Sequence, residues 1–129
     1  MFEVPEVMRM AQDLARYSGK RQSVIARNIA NSDTPGFRAR DLKSFADTYS
    51  ASNNIVEARV TRSGHQLAKP GITPWTTIDA GGTPSPNGNT VSLEDEMVRA
   101  TLANASHSLA LTVYGSSLDI LRTTIGRGR

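Results

Sequence analysis

Reactive side chains are few in this 129-residue sequence, and their spacing argues against most chemistry. There is no cysteine, so disulfides, thiol catalysis and thiolate metal ligation are all unavailable. The two histidines are His65 and His107. Ser106 and Ser108 flank His107, but adjacent helix residues point in different directions, and no acid lies three or four residues away to orient the ring. Neither histidine has companion ligands at zinc spacing. Glu94, Asp95 and Glu96 are consecutive, so on a helix they splay and cannot converge on one cation. No glycine loop of either phosphate-cradling kind is present. The expectation is a non-enzyme with no catalytic residue, no metal site and no cofactor.

Charge narrows the field further. The net charge is +3 and hydrophobic residues make up 38% of the chain, which predicts a thin core and no dense basic tract. Arg38, Arg40 and Lys43 with Phe37 could touch phosphates only weakly and in a salt-sensitive way, so no nucleic-acid partner is expected. A soluble coiled-coil adaptor or a weak nucleic-acid-binding module remains the alternative class. No run approaches the length of a membrane span, so no direct membrane insertion is expected. Nor does the N-terminus carry a basic leader with an apolar stretch, so export with a cleaved signal peptide is not expected.

Two helices must position whatever this chain does. Residues 1–43 form the first division, with a helix from Pro5 to Asn31: proline suits the first helical position and Glu6 the positive dipole end. Val7, Ala11, Leu14, Ser18, Ile25 and Ile29 recur at helical spacing, and Gly19 weakens the middle. Residues 91–129 form the third division. Ser92 caps a helix running from Leu93 to Ile125, with Asp95 placed for a capping box. Met97, Ala100, Asn104, His107, Leu111, Tyr114, Leu118, Leu121 and Ile125 alternate by three and four, a heptad seam with Leu111, Leu118 and Leu121 as anchors. Val98, Leu102, Ala105, Leu109, Val113 and Ile120 flank it. That apolar surface is wider than one partner helix covers, so adjoining molecules are expected to cover the rest. Val7, Leu14 and Ile25 are the matching seam positions of the first helix.

Between them, residues 44–90 are rich in Gly, Pro and Ser. Ser50–Asn54 and Gly81–Asn89 read as helix-breaking clusters, no third strong helix is expected, and Ile55–Val60 reads as a short extended run. A connector of this length suggests an irregular segment, unfolded before binding or serving as a functional loop. The fold class expected is mainly α: paired long N- and C-terminal helices in a coiled-coil-like core, with an irregular, extended middle.

One string stands apart: Asn28-Ile29-Ala30-Asn31-Ser32-Asp33-Thr34-Pro35-Gly36-Phe37. Asn31 can end the helix in the left-handed conformation, and Thr34-Pro35-Gly36-Phe37 has the proline and glycine placement of a type II turn. The string resembles the N-terminal signature of bacterial flagellar rod and hook proteins. Arg21-Gln22 and Ile25-Ala26 before it, Arg38–Leu42 after it, and Val91–Met97 further on narrow the resemblance to the proximal-rod, FlgB-type family. Gly115 departs from that family's continuous second helix, and residues 70–90 match no recognisable pattern.

The resemblance implies a structural subunit of the basal-body rod, a driveshaft across the periplasm needed for motility, polymerising through its terminal helices. It also implies export through the flagellar type III apparatus without a cleaved signal. Implied neighbours are other copies of the chain, the rod proteins FlgC and FlgF, the adaptor FliE and the membrane-ring protein FliF. By the same analogy Phe45 and Tyr49 form a candidate export signal; the same residues also fit an ordinary amphipathic turn.

Overall fold

The computed structural model describes residues 6–53 and 75–126. In chain order these form helix α1 (Glu6–Ala30), strand β1 (Arg40–Leu42), helix α2 (Phe45–Asn53), strand β2 (Thr77–Asp79) and helix α3 (Leu93–Gly126). The fold is mainly helical, as the sequence pattern predicts. The expected start at Pro5, the extended run Ile55–Val60 and His65 lie outside the described residues.

The two long helices run antiparallel. Gln22 of α1 donates a side-chain hydrogen bond to Asn104 of α3, while Ala11, a full three turns earlier, shares a groove with Ala110 and Tyr114, later in α3. On α1 the inward line is Ala11, Ser18, Ile25 and Asn28, all buried, with Leu14 and Arg21 half-buried between them. Spacings of three and four give the seam of a coiled coil. On α3 the buried residues are Glu96, Ala103 and Ala110, with Ala100, His107, Tyr114, Leu118 and Leu121 half-buried.

The internal packing line therefore starts one residue earlier than the greasiest row in the sequence. Met97, Leu111 and Ile125 are 62%, 53% and 76% exposed, and Asn104 is exposed as well. On α1, Val7 is 50% exposed while Met8 is 4% exposed; Asn28 turns inward and Ile29 does not. Neighbouring residues on a helix point about 100° apart, so a one-residue offset exchanges an alanine line for a leucine line. Alanine wins the inside because small side chains let two helices approach closely. Met97, Leu111 and Ile125 are left outside. Gly115 sits within α3 without interrupting it.

The middle of the chain holds more structure than its composition suggests. The α2 helix is capped by Ser44, whose Oγ accepts the Asp47 amide at 3.2 Å and whose carbonyl accepts the Thr48 amide at 3.1 Å. Ser50–Asn53, expected to stop a helix, instead completes it. Ser44-x-x-Asp47 is the same start signal that marks Ser92-x-x-Asp95, where Ser92 Oγ accepts the Asp95 amide at 3.3 Å. Phe45 then stacks on Tyr49 at 5.5 Å and packs against Tyr17 of α1 at 5.5 Å, with Trp75 edge-on to Tyr17 at 6.1 Å.

β1 and β2 pair antiparallel in the register Arg40 with Asp79, Asp41 with Ile78 and Leu42 with Thr77. Ala80 N–H to Ala39 O and Lys43 N–H to Thr76 O, each 3.0 Å, extend the ribbon at its two ends. This ribbon lies against the end of α1, where the distinctive string of the sequence falls.

Candidate functional site

The end of α1 is built from asparagine side chains that replace missing backbone partners. Asn28 is 1% exposed. Its Nδ2 donates to the Arg40 carbonyl at 2.7 Å and its Oδ1 accepts the Arg40 amide at 3.1 Å. One side chain thus acts as a strand partner for β1 and fixes the ribbon on the helix. Asn31 does not take the left-handed conformation expected of it, since among the described residues only glycines have positive φ. It stops the helix by another route. Its Nδ2 turns back to the Arg27 carbonyl at 2.7 Å, and the backbone tightens through Asn31 N–H to Asn28 O at 3.0 Å and Ser32 N–H to Ile29 O at 3.2 Å. Ile29, Ala30, Asp33 and Pro35 remain on the surface.

The turn that follows matches its sequence. Phe37 N–H reaches Thr34 O at 3.2 Å, and Gly36, in the third place, has φ of 71°, the value a type II turn demands there. Gly36 N–H points outward to the Asn87 carbonyl at 2.9 Å. The turn is therefore held from outside by the chain segment just ahead of α3.

That segment supplies the site's least expected residue. Asn89, 2% exposed, aims its Nδ2 at three carbonyls of the string: Asn31 at 2.9 Å, Ser32 at 2.7 Å and Thr34 at 2.9 Å. Its Oδ1 accepts the Val91 amide at 2.8 Å. Thr90 completes the contact, donating its amide to the Phe37 carbonyl at 3.0 Å and accepting the Ala39 amide on Oγ1 at 2.9 Å. Asn87 Oδ1 in turn accepts the Asn89 amide at 3.0 Å. Gly82 is needed for this arrangement: φ is 129°, and a Cβ there would stand 2.8 Å from the Thr90 carbonyl oxygen. Within the stretch that matched no pattern, residues 82–90 form a polar lock on the turn. Its only local signal is Asn-Gly-Asn-Thr immediately before a helix start.

Charges close the site on its inner side. Arg21 Nε and Nη2 grip the two oxygens of Asp41 at 2.9 and 2.7 Å, and Asp41 Oδ1 also accepts the Leu42 amide at 2.8 Å. Glu96, 1% exposed, takes Arg99 on one oxygen at 2.7 Å, while Arg99 reaches the Ala80 carbonyl at 3.4 Å. The pairs connect α1, the ribbon and α3. Burial pushes the Asp41 carboxyl up, but the Arg21 hydrogen bonds, the Leu42 amide and the Arg21 and Arg99 charges together outweigh it and hold the carboxyl below its ordinary value. A carboxyl depressed on folding contributes stability above its unfolded pKa and loses it as pH falls. Acid titration of the unfolding midpoint should show wild-type stability falling below about pH 4, with Asp41→Asn showing a shallower fall. Equal slopes would mean the pair adds nothing.

No group of three metal-ligating side chains occurs among the described residues, and no described helix is long and apolar enough to cross a membrane.

The sequence profile described as "Flagella basal body rod protein" matches residues 19–38, which is the second half of α1 together with the turn. The chain is 31% identical over 129 residues to the flagellar basal body rod protein FlgB of Salmonella typhimurium, covering 94% of each chain. It is 29% identical to the FlgB of Yersinia enterocolitica and 27% identical to that of Escherichia coli, again over 94% of each. The profile thus falls on the Asn28 latch and the glycine turn, and the likeness to relatives extends through both long helices and the segment that locks them. This chain belongs to the FlgB family of flagellar basal body rod proteins.

Proposed function

We propose that this chain is a structural subunit of the flagellar basal-body rod that polymerises by laying the outer face of α3 against neighbouring protomers. One observation carries the reading. Leu93, Met97, Val98, Leu102, Leu109, Leu111, Ile120 and Ile125 are each more than half exposed, whereas the buried residues of α3 are Glu96, Ala103 and Ala110. So much apolar surface along one helix is stable in water only when another molecule covers it. A groove between the helices, lined by Ala11, Ala15, Ala110, Leu111 and Tyr114, gives a third helix a place to lie. Met97, Leu111 and Ile125 are then contacts between protomers, while Ala100, His107, Tyr114 and Leu121, with Leu14 and Ile25 of α1, hold the subunit's own pair together. Nothing in the fold or the relatives favours a soluble adaptor or a nucleic-acid-binding module.

Association of this kind makes stability depend on concentration. The thermal midpoint of the purified chain should rise as its concentration is raised, in step with sedimenting mass. A compact monomer whose melting ignores dilution would overturn the reading.

The same reading places the chain in the rod where it crosses the periplasm, beside further copies and FlgC, FlgF, FliE and FliF. It assigns three divisions: 1–43 and 91–129 as assembly helices and 44–90 as the connecting region. Passage through the flagellar type III apparatus would require an accessible signal, and Phe45 and Tyr49 are the candidates. In the folded chain Phe45 packs on Tyr17, so the signal would be read before folding. Replacing both with Ala should lower the secreted fraction without lowering expression; unchanged secretion would leave them with a packing role alone.

A further inference from the structure

The end of the molecule where α1, the ribbon and the start of α3 meet carries opposite charges on two separate surfaces. A groove there is lined by Val24, Phe37, Arg27, Arg38 and Arg40. All three arginines are exposed and both apolar residues half-buried. Arg38 meets the exposed Asp79 at 3.6 Å, and Arg40 makes only long contacts to Thr77, at 3.3 and 3.4 Å. The Arg27 guanidinium has no hydrogen bond or ion pair among the described residues. Three cations thus share one carboxylate, beside an aromatic ring.

The other surface is the first turn of α3. Glu94 and Asp95 are exposed, and neither carboxylate has an ion pair among the described residues. Leu93, immediately before them, is 51% exposed. The acids complement the helix dipole, yet that role leaves their outward charge unneutralised. Each surface has the chemistry the other lacks: arginines with an aromatic ring on one, carboxylates with a leucine on the other.

We infer that the arginine groove receives the first turn of α3 from a second copy of this chain, Glu94 and Asp95 pairing with Arg27 and Arg38 while Leu93 meets Phe37 and Val24. The inference rests on the rod-subunit reading and adds the direction of assembly. Because the two patches differ, the contact is head-to-tail, and such contacts repeat around a ring or a helix instead of closing a two-fold dimer. Exposed ion pairs are individually weak and salt-screened. Their part is to select register and partner, while apolar surface supplies most of the affinity.

Charge exchange in the full-length chain tests it. Arg27→Glu with Arg38→Glu makes both surfaces acidic; Glu94→Lys with Asp95→Lys makes both basic. By sedimentation at low salt, each double variant alone should self-associate about tenfold or more weakly than wild type, and the deficit should shrink as salt is raised. An equimolar mixture should recover association, since the acidic groove of one variant meets the basic helix start of the other, and the basic groove meets the acidic helix start. Circular dichroism confirms that the variants fold. If a reversal disturbs the helix, the neutral pair Arg27→Gln with Arg38→Gln should weaken association in the same direction by less. Unchanged self-association in either double variant, or a mixture that fails to recover, would overturn the pairing, as would a wild-type chain that does not self-associate. Loss of binding to another rod protein with self-association intact would also overturn it. Failure of the pairing while Leu111→Asp still abolishes assembly would leave the rod-subunit reading standing.

Discussion

Leu111→Asp is expected to abolish assembly while leaving the isolated subunit folded. Leu111 is 53% exposed in the subunit, so an aspartate there stays largely in water and should cost less than about 1 kcal/mol of subunit stability. In the assembly the same position is covered, and an unpaired carboxylate must then be desolvated or protonated at a cost of several kcal/mol. A penalty of about 3 kcal/mol per contact weakens each by more than about a hundredfold, enough to stop a polymer that repeats the contact at every subunit. Ala110→Asp provides the contrast. Ala110 is one residue earlier and 1% exposed, so its replacement should unfold the α1–α3 pair itself. Sedimentation reports assembly and urea unfolding reports the subunit. If Leu111→Asp polymerises normally, the α3 row through Met97, Leu111 and Ile125 is not the contact.

That one-residue contrast also marks what the sequence could and could not convey. The extent of α3 was legible, from the Ser92 cap to Gly126, because caps and apolar spacing are local. So was the glycine turn, since Pro35 and Gly36 have few other uses side by side. Which face of α3 turns inward was legible in part: of the heptad seam, Ala100, His107, Tyr114, Leu118 and Leu121 are half-buried, while Met97, Asn104, Leu111 and Ile125 are exposed. Apolar residues occupy nearly all sides of this helix, and the decision falls to alanines that fit a close approach and to Glu96, drawn inside beside Arg99. The α2 helix was not legible because Ser50–Asn53 reads as a helix-breaking cluster, and the one signal of its start is the short Ser44-x-x-Asp47 pattern. The Asn28 latch and the β1–β2 ribbon depend on contacts between segments far apart in the chain, and a three-residue strand has no periodicity to read.

Asn89 shows the same limit most sharply, and its replacement should have a large effect on the subunit. An asparagine in a Gly/Pro-rich stretch ordinarily signals a turn; this one is buried and holds the carbonyls of Asn31, Ser32 and Thr34. Asn89→Ala removes a donor from all three and the acceptor for the Val91 amide. The Asn31 and Thr34 carbonyls keep the Thr34 and Phe37 amides, so the Ser32 carbonyl and the Val91 amide are the groups left unpaired among the described residues; at about 1–3 kcal/mol each before water enters, a net loss of about 2–4 kcal/mol in urea unfolding is expected. Asn89→Asp separates hydrogen bonding from packing. It keeps the acceptor for Val91 but turns a carboxylate toward carbonyl oxygens, so at neutral pH it should be at least as destabilising as alanine. The carboxyl is favoured in its protonated form there, so its folded pKa is raised. Its penalty relative to wild type should therefore shrink as pH falls, the opposite sign to the contribution of Asp41. Asn89→Asp and Asn89→Ala variants that unfold with the wild type at every pH would show that the lock does not hold the turn.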